Sequence, residues 1–188
     1  VGTLLDPDGL LTEIHPDTHR AVRRLVRQSD ATVRVRSGRR SCAEQRDLYG
    51  IGRRYNVGSP PVTHADGCRS WHVLGRAVDL DILDPATGRA VVPCAAYEAL
   101  GVAWEQMGGV WGGRFSGFGS CGDAGHFEWH PGATIEDYCP DPSACEEVEV
   151  AIDRQISTAH TMRMVATAGV AFSILAIGSY SAWHILRK

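Results

Sequence analysis

The chain has no surplus of positive charge. Nineteen Lys and Arg stand against 22 Asp and Glu, a net charge of −3 over 188 residues, so there is no basic field to hold nucleic acid. None of its six cysteines forms a Cys-x-x-Cys pair, which argues against a thiolate zinc knuckle or a thioredoxin-type motif. No internal repeat is present, which excludes a solenoid. No basic-then-apolar leader is visible from Val1 onward, so export would imply a leader that was removed or lies outside this sequence. What the chain does have is 21 glycines and five tryptophans, a mixture that suits a loop-built site on a sheet better than a helical bundle.

The cysteines stand at 42, 68, 94, 121, 139 and 145. An even, dispersed set reads as up to three disulfides in an oxidising compartment. Sequence does not choose among the pairings, although Cys139 and Cys145 are near enough to close a small loop. Charge is also missing from one long run. Met164 to Trp183 contains no Asp, Glu, Lys or Arg, and a helix of that length, at about 1.5 Å per residue, spans the ~30 Å of a bilayer core. Tyr180 and Trp183 suit the membrane interface. The flanking charges balance and give no orientation, whereas disulfides would place residues 1–160 outside the cell and leave the basic tail in the cytoplasm.

Taken in order, residues 1–14 read as irregular. His15-Pro16-Asp17 starts a helix, with Ala21, Val22, Leu25 and Val26 on its buried face and Arg20, Arg23, Arg24 and Arg27 on the other. Ala31 to Arg36 alternates as a strand. Ser41-x-x-Glu44 has capping-box spacing and predicts a helix from about Cys42 to Arg53. Residues 55–70 form a loop, and Val78, Leu80 and Ile82 alternate with Asp79 and Asp81 as a half-buried strand. A second helix runs from near Pro93 to Met107. The stretch 108–125, with Trp111, Phe115 and Phe118, reads as a pocket-shaping loop, and 126–130 as a short strand. The expected architecture is α+β: a small antiparallel sheet with flanking helices, followed by a C-terminal transmembrane helix. The expected divisions are a catalytic domain over 1–138, an acidic stalk over 139–162, and the span with its basic tail over 163–188.

Chemistry concentrates in two places. Ser70-Trp71-His72-x-x-Gly75-x-Ala77-x-Asp79 brings an imidazole and a carboxylate together across a glycine turn, with Ala77 leaving room above the strand. Asp123-Ala-Gly-His126 adds a second imidazole and an acid that can stand beside the metal while the histidine binds it. His72, Asp79 and His126 make a three-ligand set with an open position, suited to a hydrolytic Zn2+. Asp123 is the candidate base, and an arginine of the 37–41 turn is a candidate for oxyanion or carboxylate binding. His130 is a competing ligand at poorer spacing. Glu128 reads as a partner that orients a ligand histidine, and Ser70 as a possible helper. His15, His19, His64, His160 and His184 read as surface or interfacial residues.

Three blocks in order resemble the zinc peptidases of the D-alanyl-D-alanine carboxypeptidase/dipeptidase family, which includes L-alanyl-D-glutamate endopeptidases. Ser37-Gly38-Arg39-Arg40-Ser41 with Glu44-Gln45 is similar to the family's arginine block, and the resemblance makes Arg40 its working arginine. Ser70-x-His72-x-x-Gly75-x-Ala77-x-Asp79 is similar to the block with the first two ligands. Trp111-Gly112-Gly113 through Asp123-x-x-His126-Phe127-Glu128 is similar to the block with the base and third ligand, nearest the endopeptidase branch. Gln45 and Trp111 are thereby implied as supporting or substrate-binding residues. Arg39 stands where the family has an aromatic, and Asp123 where carboxypeptidase members have Glu. The resemblance implies hydrolysis of peptidoglycan stem peptides outside the cytoplasmic membrane. The alternative is a membrane-anchored wall-binding module that has lost turnover.

Overall fold

The first helix begins at Pro16 because His15 closes its open end: the ring Nδ1 accepts the Asp17 amide at 3.2 Å, and Pro16 has no amide to leave unpaired. This is α1 (Pro16–Gln28). The computed structural model describes residues 1–91, 94–116, 121–141, 145–158 and 161. Two compact units divide them, Val1–Ile152 and Asp153–Lys188. The segment read as a stalk is divided with them, its helical residues 145–152 belonging to the first unit. In the second unit residues 153–158 are helical. The apolar run Met164–Trp183 lies outside the described residues, and among those described no helix is long and apolar enough to cross a membrane.

The first unit is built on a sheet of β1 (Thr3–Leu5), β2 (Thr32–Ser37), β3 (Ala77–Leu83), β4 (Val110–Trp111) and β5 (His126–Glu128), in the order β1-β2-β3-β5-β4. Between them lie α2 (Cys42–Gly50), α3 (Ala95–Gln106) and, after β5, α4 (Ile135–Tyr138). The expected antiparallel sheet is mixed. Residues 3–5, expected to be irregular, pair parallel with β2; α1 is the crossover that returns the chain in the same direction. All other pairings are antiparallel.

Alternation then separates two faces. Val33 and Val35, Val78 and Leu80, and Phe127 are buried with Val22, Leu25 and Val26 of α1 and Leu100 and Trp104 of α3 in one core. The opposite face carries Asp79, Asp81, His126 and Glu128. The expectation of a half-buried β3 is corrected here: Asp79 and Asp81 are each only 6% exposed, because arginines of β2 and of the following turn lie over them.

α2 has the predicted capping box, Ser41 with Glu44, but stops at Gly50 instead of Arg53. The Tyr55 ring sits where a side chain at Gly50 would be, and the Gly50 carbonyl accepts the amides of Arg53, Arg54 and Tyr55 in a turn. Trp111 also departs from expectation. It is a core residue at 3% exposure, not a wall of the pocket, and α3 approaches it closely because Gly101 has no side chain: a Cβ there would lie 2.1 Å from the indole.

Candidate metal centre

Strand pairing sets two of the three ligands. Asp79 and His126 are directly opposed partners of β3 and β5, so their side chains leave the same face side by side. His72 arrives from a tight turn in which the Ser70 carbonyl accepts the amides of Val73 and Leu74. Gly75 closes that turn at φ +63 with the His15 backbone against it, a conformation and a clearance that suit glycine.

The donor atoms converge. His72 Nε2 lies 3.3 Å from Asp79 Oδ1, His126 Nδ1 lies 3.1 Å from the same oxygen, and the two ring nitrogens are 3.2 Å apart. Ligands about 2.0–2.1 Å from a tetrahedral ion are separated by roughly 3.3 Å. The triangle therefore has the size of one face of a tetrahedral zinc site, and its two imidazoles and one carboxylate are zinc donors. His72, Asp79 and His126 are the residues that would hold the ion; His130 is not among them.

Each ligand is held from behind. His72 Nδ1–H donates to the Gly38 carbonyl at 2.7 Å, which fixes the tautomer that leaves Nε2 free to bind. His126 Nε2–H donates to Glu128 Oε1 at 2.9 Å, and Glu128 Oε2 accepts from His130 at 2.9 Å. His130, the competing ligand, is thus taken up by Glu128 and stacks on Trp71 with ring centroids 3.8 Å apart. Asp79 divides its oxygens: Oδ1 faces the imidazoles, and Oδ2 accepts from Arg40 Nη2 at 2.8 Å. Arg40 also donates to Ser37 and Gln45, and Gln45 in turn ties down Thr63 and Ala65. Ser70 Oγ accepts the His72 amide at 3.3 Å.

These contacts shift the titrations. Burial works against the charge of Asp79, yet His72 and His126 beside it hold its carboxyl well below the usual range. His72 is pushed down, chiefly by burial. Burial also opposes charge on His126, but its hydrogen bonds to Asp79 and Glu128 prevail and raise it to about 9.

A cavity of about 500 Å³ opens over the triangle, and Asp123, Arg40, Arg36, Ser70 and Trp71 line it. His64, read as a surface histidine, lines it too. The loop carrying Asp123 is set by backbone contacts: the Asp123 amide donates to Gly112 and its carbonyl accepts from the His126 amide. Trp111 does not line the cavity; its indole N–H holds the Ala124 carbonyl at 2.8 Å and so braces that loop.

Disulfides Cys42–Cys68 and Cys94–Cys121 fasten the start of α2 to the loop before Ser70, and the start of α3 to the segment before Asp123. Cys139 and Cys145, expected as a possible third bridge, are buried free thiols. Each lies near the other, and burial together with Cys145 raises the Cys139 thiol to about 12. Cys42, Cys68 and Glu149 also cluster, but both sulfurs are in a disulfide and cannot act as thiolates.

Residues 63–129, which contain all three ligands, match the family described as D-alanyl-D-alanine carboxypeptidase. The match covers about a third of the chain, and over that stretch the chain is similar to this family of zinc metallopeptidases. The L-Ala D-Glu endopeptidase ChiX of Serratia marcescens is similar in structure, with 28% identity, a TM-score of 0.50, and 70% of this chain and 88% of that one covered. A variant of the vancomycin-resistance D,D-pentapeptidase VanY in complex with Zn(II) is 18% identical, at a TM-score of 0.45, over 66% of this chain and 83% of its own. No curated protein matches the chain.

Glu128 stands behind His126 as the sequence suggested, while three contacts escaped sequence reasoning: the Gly38 carbonyl behind His72, the second bond of Glu128 to His130, and Arg36 at the cavity. The first is a backbone atom and leaves no residue signal. Arg36 had a signal, since it directly precedes the Ser37-Gly38 turn, but it read only as an alternating strand residue.

Proposed function

We propose that this zinc peptidase hydrolyses the peptide stems of peptidoglycan, at a bond of the D-Ala-D-Ala carboxypeptidase or L-Ala-D-Glu endopeptidase type. The observation that carries the reading is the 3.1–3.3 Å triangle of His72, Asp79 and His126 opening into a cavity that Asp123 also lines. Zinc held there supplies a Lewis acid that brings the pKa of a coordinated water towards ~7. Asp123 takes the proton from the attacking water and returns it to the leaving nitrogen. Arg40 holds Asp79 by its outer oxygen so that the other is turned towards the ion, and its remaining N–H groups stabilise charge developing on the scissile carbonyl oxygen. Glu128 and Gly38 hold the two imidazoles so that neither must reorient during the reaction.

The proposed setting is the extracytoplasmic side of the cell envelope. Two disulfides suit an oxidising compartment, and the uncharged run Met164–Trp183 is proposed as the bilayer anchor. Mass spectrometry of stem peptides incubated with the zinc-loaded chain tests the reading. Cleavage should be lost on chelation, return with Zn2+, and be absent from His72→Ala. Full cleavage by that variant refutes the site, and zinc binding without cleavage of any stem peptide would leave the wall-binding module instead.

A further inference from the structure

β2 has one residue more than its partner. Val35 pairs with Leu80 and Ser37 with Asp79, so Arg36 is the extra residue of a β-bulge. Bulges re-aim a side chain out of the ladder. This one delivers the Arg36 side chain, 51% exposed, to the boundary between the cavity above the ligands and a second cavity of about 620 Å³ lined by Leu10, Arg39, Leu48 and Tyr55.

Its neighbours already have partners. Asp79 accepts from Arg40 at 2.8 Å, and Asp81 accepts from Arg34 at 2.6 Å. Arg36 stands 3.9 Å from Asp79 and 3.8 Å from Asp81, outside hydrogen-bond range. Arg36 thus makes two loose ion pairs and no hydrogen bond to either aspartate, and its half-exposed guanidinium, a planar fork suited to a carboxylate held by two N–H groups, lines the cavity. The position is defined on its other side by Gly125, where a Cβ would come 3.1 Å from Arg36 Nη2. Gly125 belongs to the loop between Asp123 and His126, so the guanidinium lies beside the segment that carries the proposed proton donor to the leaving nitrogen.

We infer that Arg36 is a specificity-determining residue that binds a free carboxylate on the leaving side of the substrate, borne by the carbon attached to the scissile nitrogen. This rests on the stem-peptide reading above and narrows it. Both candidate bonds release such a residue: a terminal D-Ala bears its carboxylate there, and so does a D-Glu linked onward through its side chain. A peptide amidated at that carboxylate keeps its shape and loses the charge.

The test compares carboxylate and carboxamide forms of both stem peptides, with zinc-loaded wild type, Arg36→Gln and Arg36→Lys. Wild type should prefer the carboxylate in kcat/KM by about 10- to 100-fold, the range of a hydrogen bond to a charged group. In Arg36→Gln the ratio should fall to about 1, and Arg36→Lys should restore part of it. Zinc content and unfolding midpoint should match wild type, since Arg34 and Arg40 keep the two aspartates paired. A ratio near 1 in wild type, or one unchanged in Arg36→Gln, overturns the inference. If wild type cleaves neither peptide, the stem-peptide reading fails separately. Calorimetric titration with the released product, as carboxylate and as carboxamide, then still decides Arg36: equal affinities overturn it, and a preference lost in Arg36→Gln supports it.

Discussion

Zinc entering this site should displace one proton, and that proton should come from His126. In the metal-free protein the His126 ring titrates at about 9, whereas His72 is shifted down from 6.5 and Asp79 well below 3.8. Between pH 6.5 and 9 the only ligand still protonated is therefore His126. At pH 7 roughly one ring in 100 is neutral, so apparent zinc affinity should lie about 100-fold below its limit and change about tenfold per pH unit. The same shift acts on stability. A ring whose pKa rises on folding stabilises fully below its unfolded value of 6.5 and loses that contribution as pH rises through about 9; for this buried group the amount is on the order of 3 kcal/mol. Unfolding of the zinc-free protein should therefore become easier between pH 6.5 and 9, where Asp79 contributes no change and His72 only a small opposing one near 6.5. Calorimetric zinc titrations at pH 6.5 in buffers of differing ionisation enthalpy count the protons, and NMR titration of the ring gives its midpoint. No proton released, or a ring titrating near 6.5, would refute the reasoning.

Asp123→Asn should lower kcat by roughly 10²- to 10⁴-fold while zinc content, measured by elemental analysis, stays at wild-type level; loss of zinc would instead make Asp123 a ligand. Glu128→Gln should weaken zinc about 10- to 100-fold in chelator competition, because the His126 ring loses its anionic partner. Gly101→Ala should destabilise by about 1–3 kcal/mol or more in denaturant melts, since the new methyl meets the Trp111 indole. Cys42→Ser should cost about 3–4 kcal/mol for a bridge separated by 26 residues, with equal stability under oxidising and reducing conditions indicating that the bridge is absent from the wild type.

The elements with strong local chemistry were readable from the chain. His15-Pro16 and the Ser41/Glu44 box marked two helix starts correctly because capping depends on neighbours in sequence. The candidate ligands His72, Asp79 and His126 stood out because a metal needs those residue types beside a glycine turn and a strand. What was hidden depends on contacts between distant segments. The parallel edge strand follows from where α1 returns the chain, not from the composition of Thr3–Leu5. Trp111 looked like a pocket aromatic beside its glycines, yet the bare face of Gly101 draws it into the core. The bulge at Arg36 is invisible to alternation, since only the partner strand reveals the extra residue.

The opposition of Asp79 and His126 across β3 and β5 means that the register of the sheet itself sets two of the three candidate metal donors side by side. A slip of β5 by a single residue would turn His126 and Glu128 into the oily side and push Phe127 out to water. Such a chain would lose its core and its catalytic ion together. The register that buries Phe127 is thus the same one that presents His126 and Glu128 to the cavity.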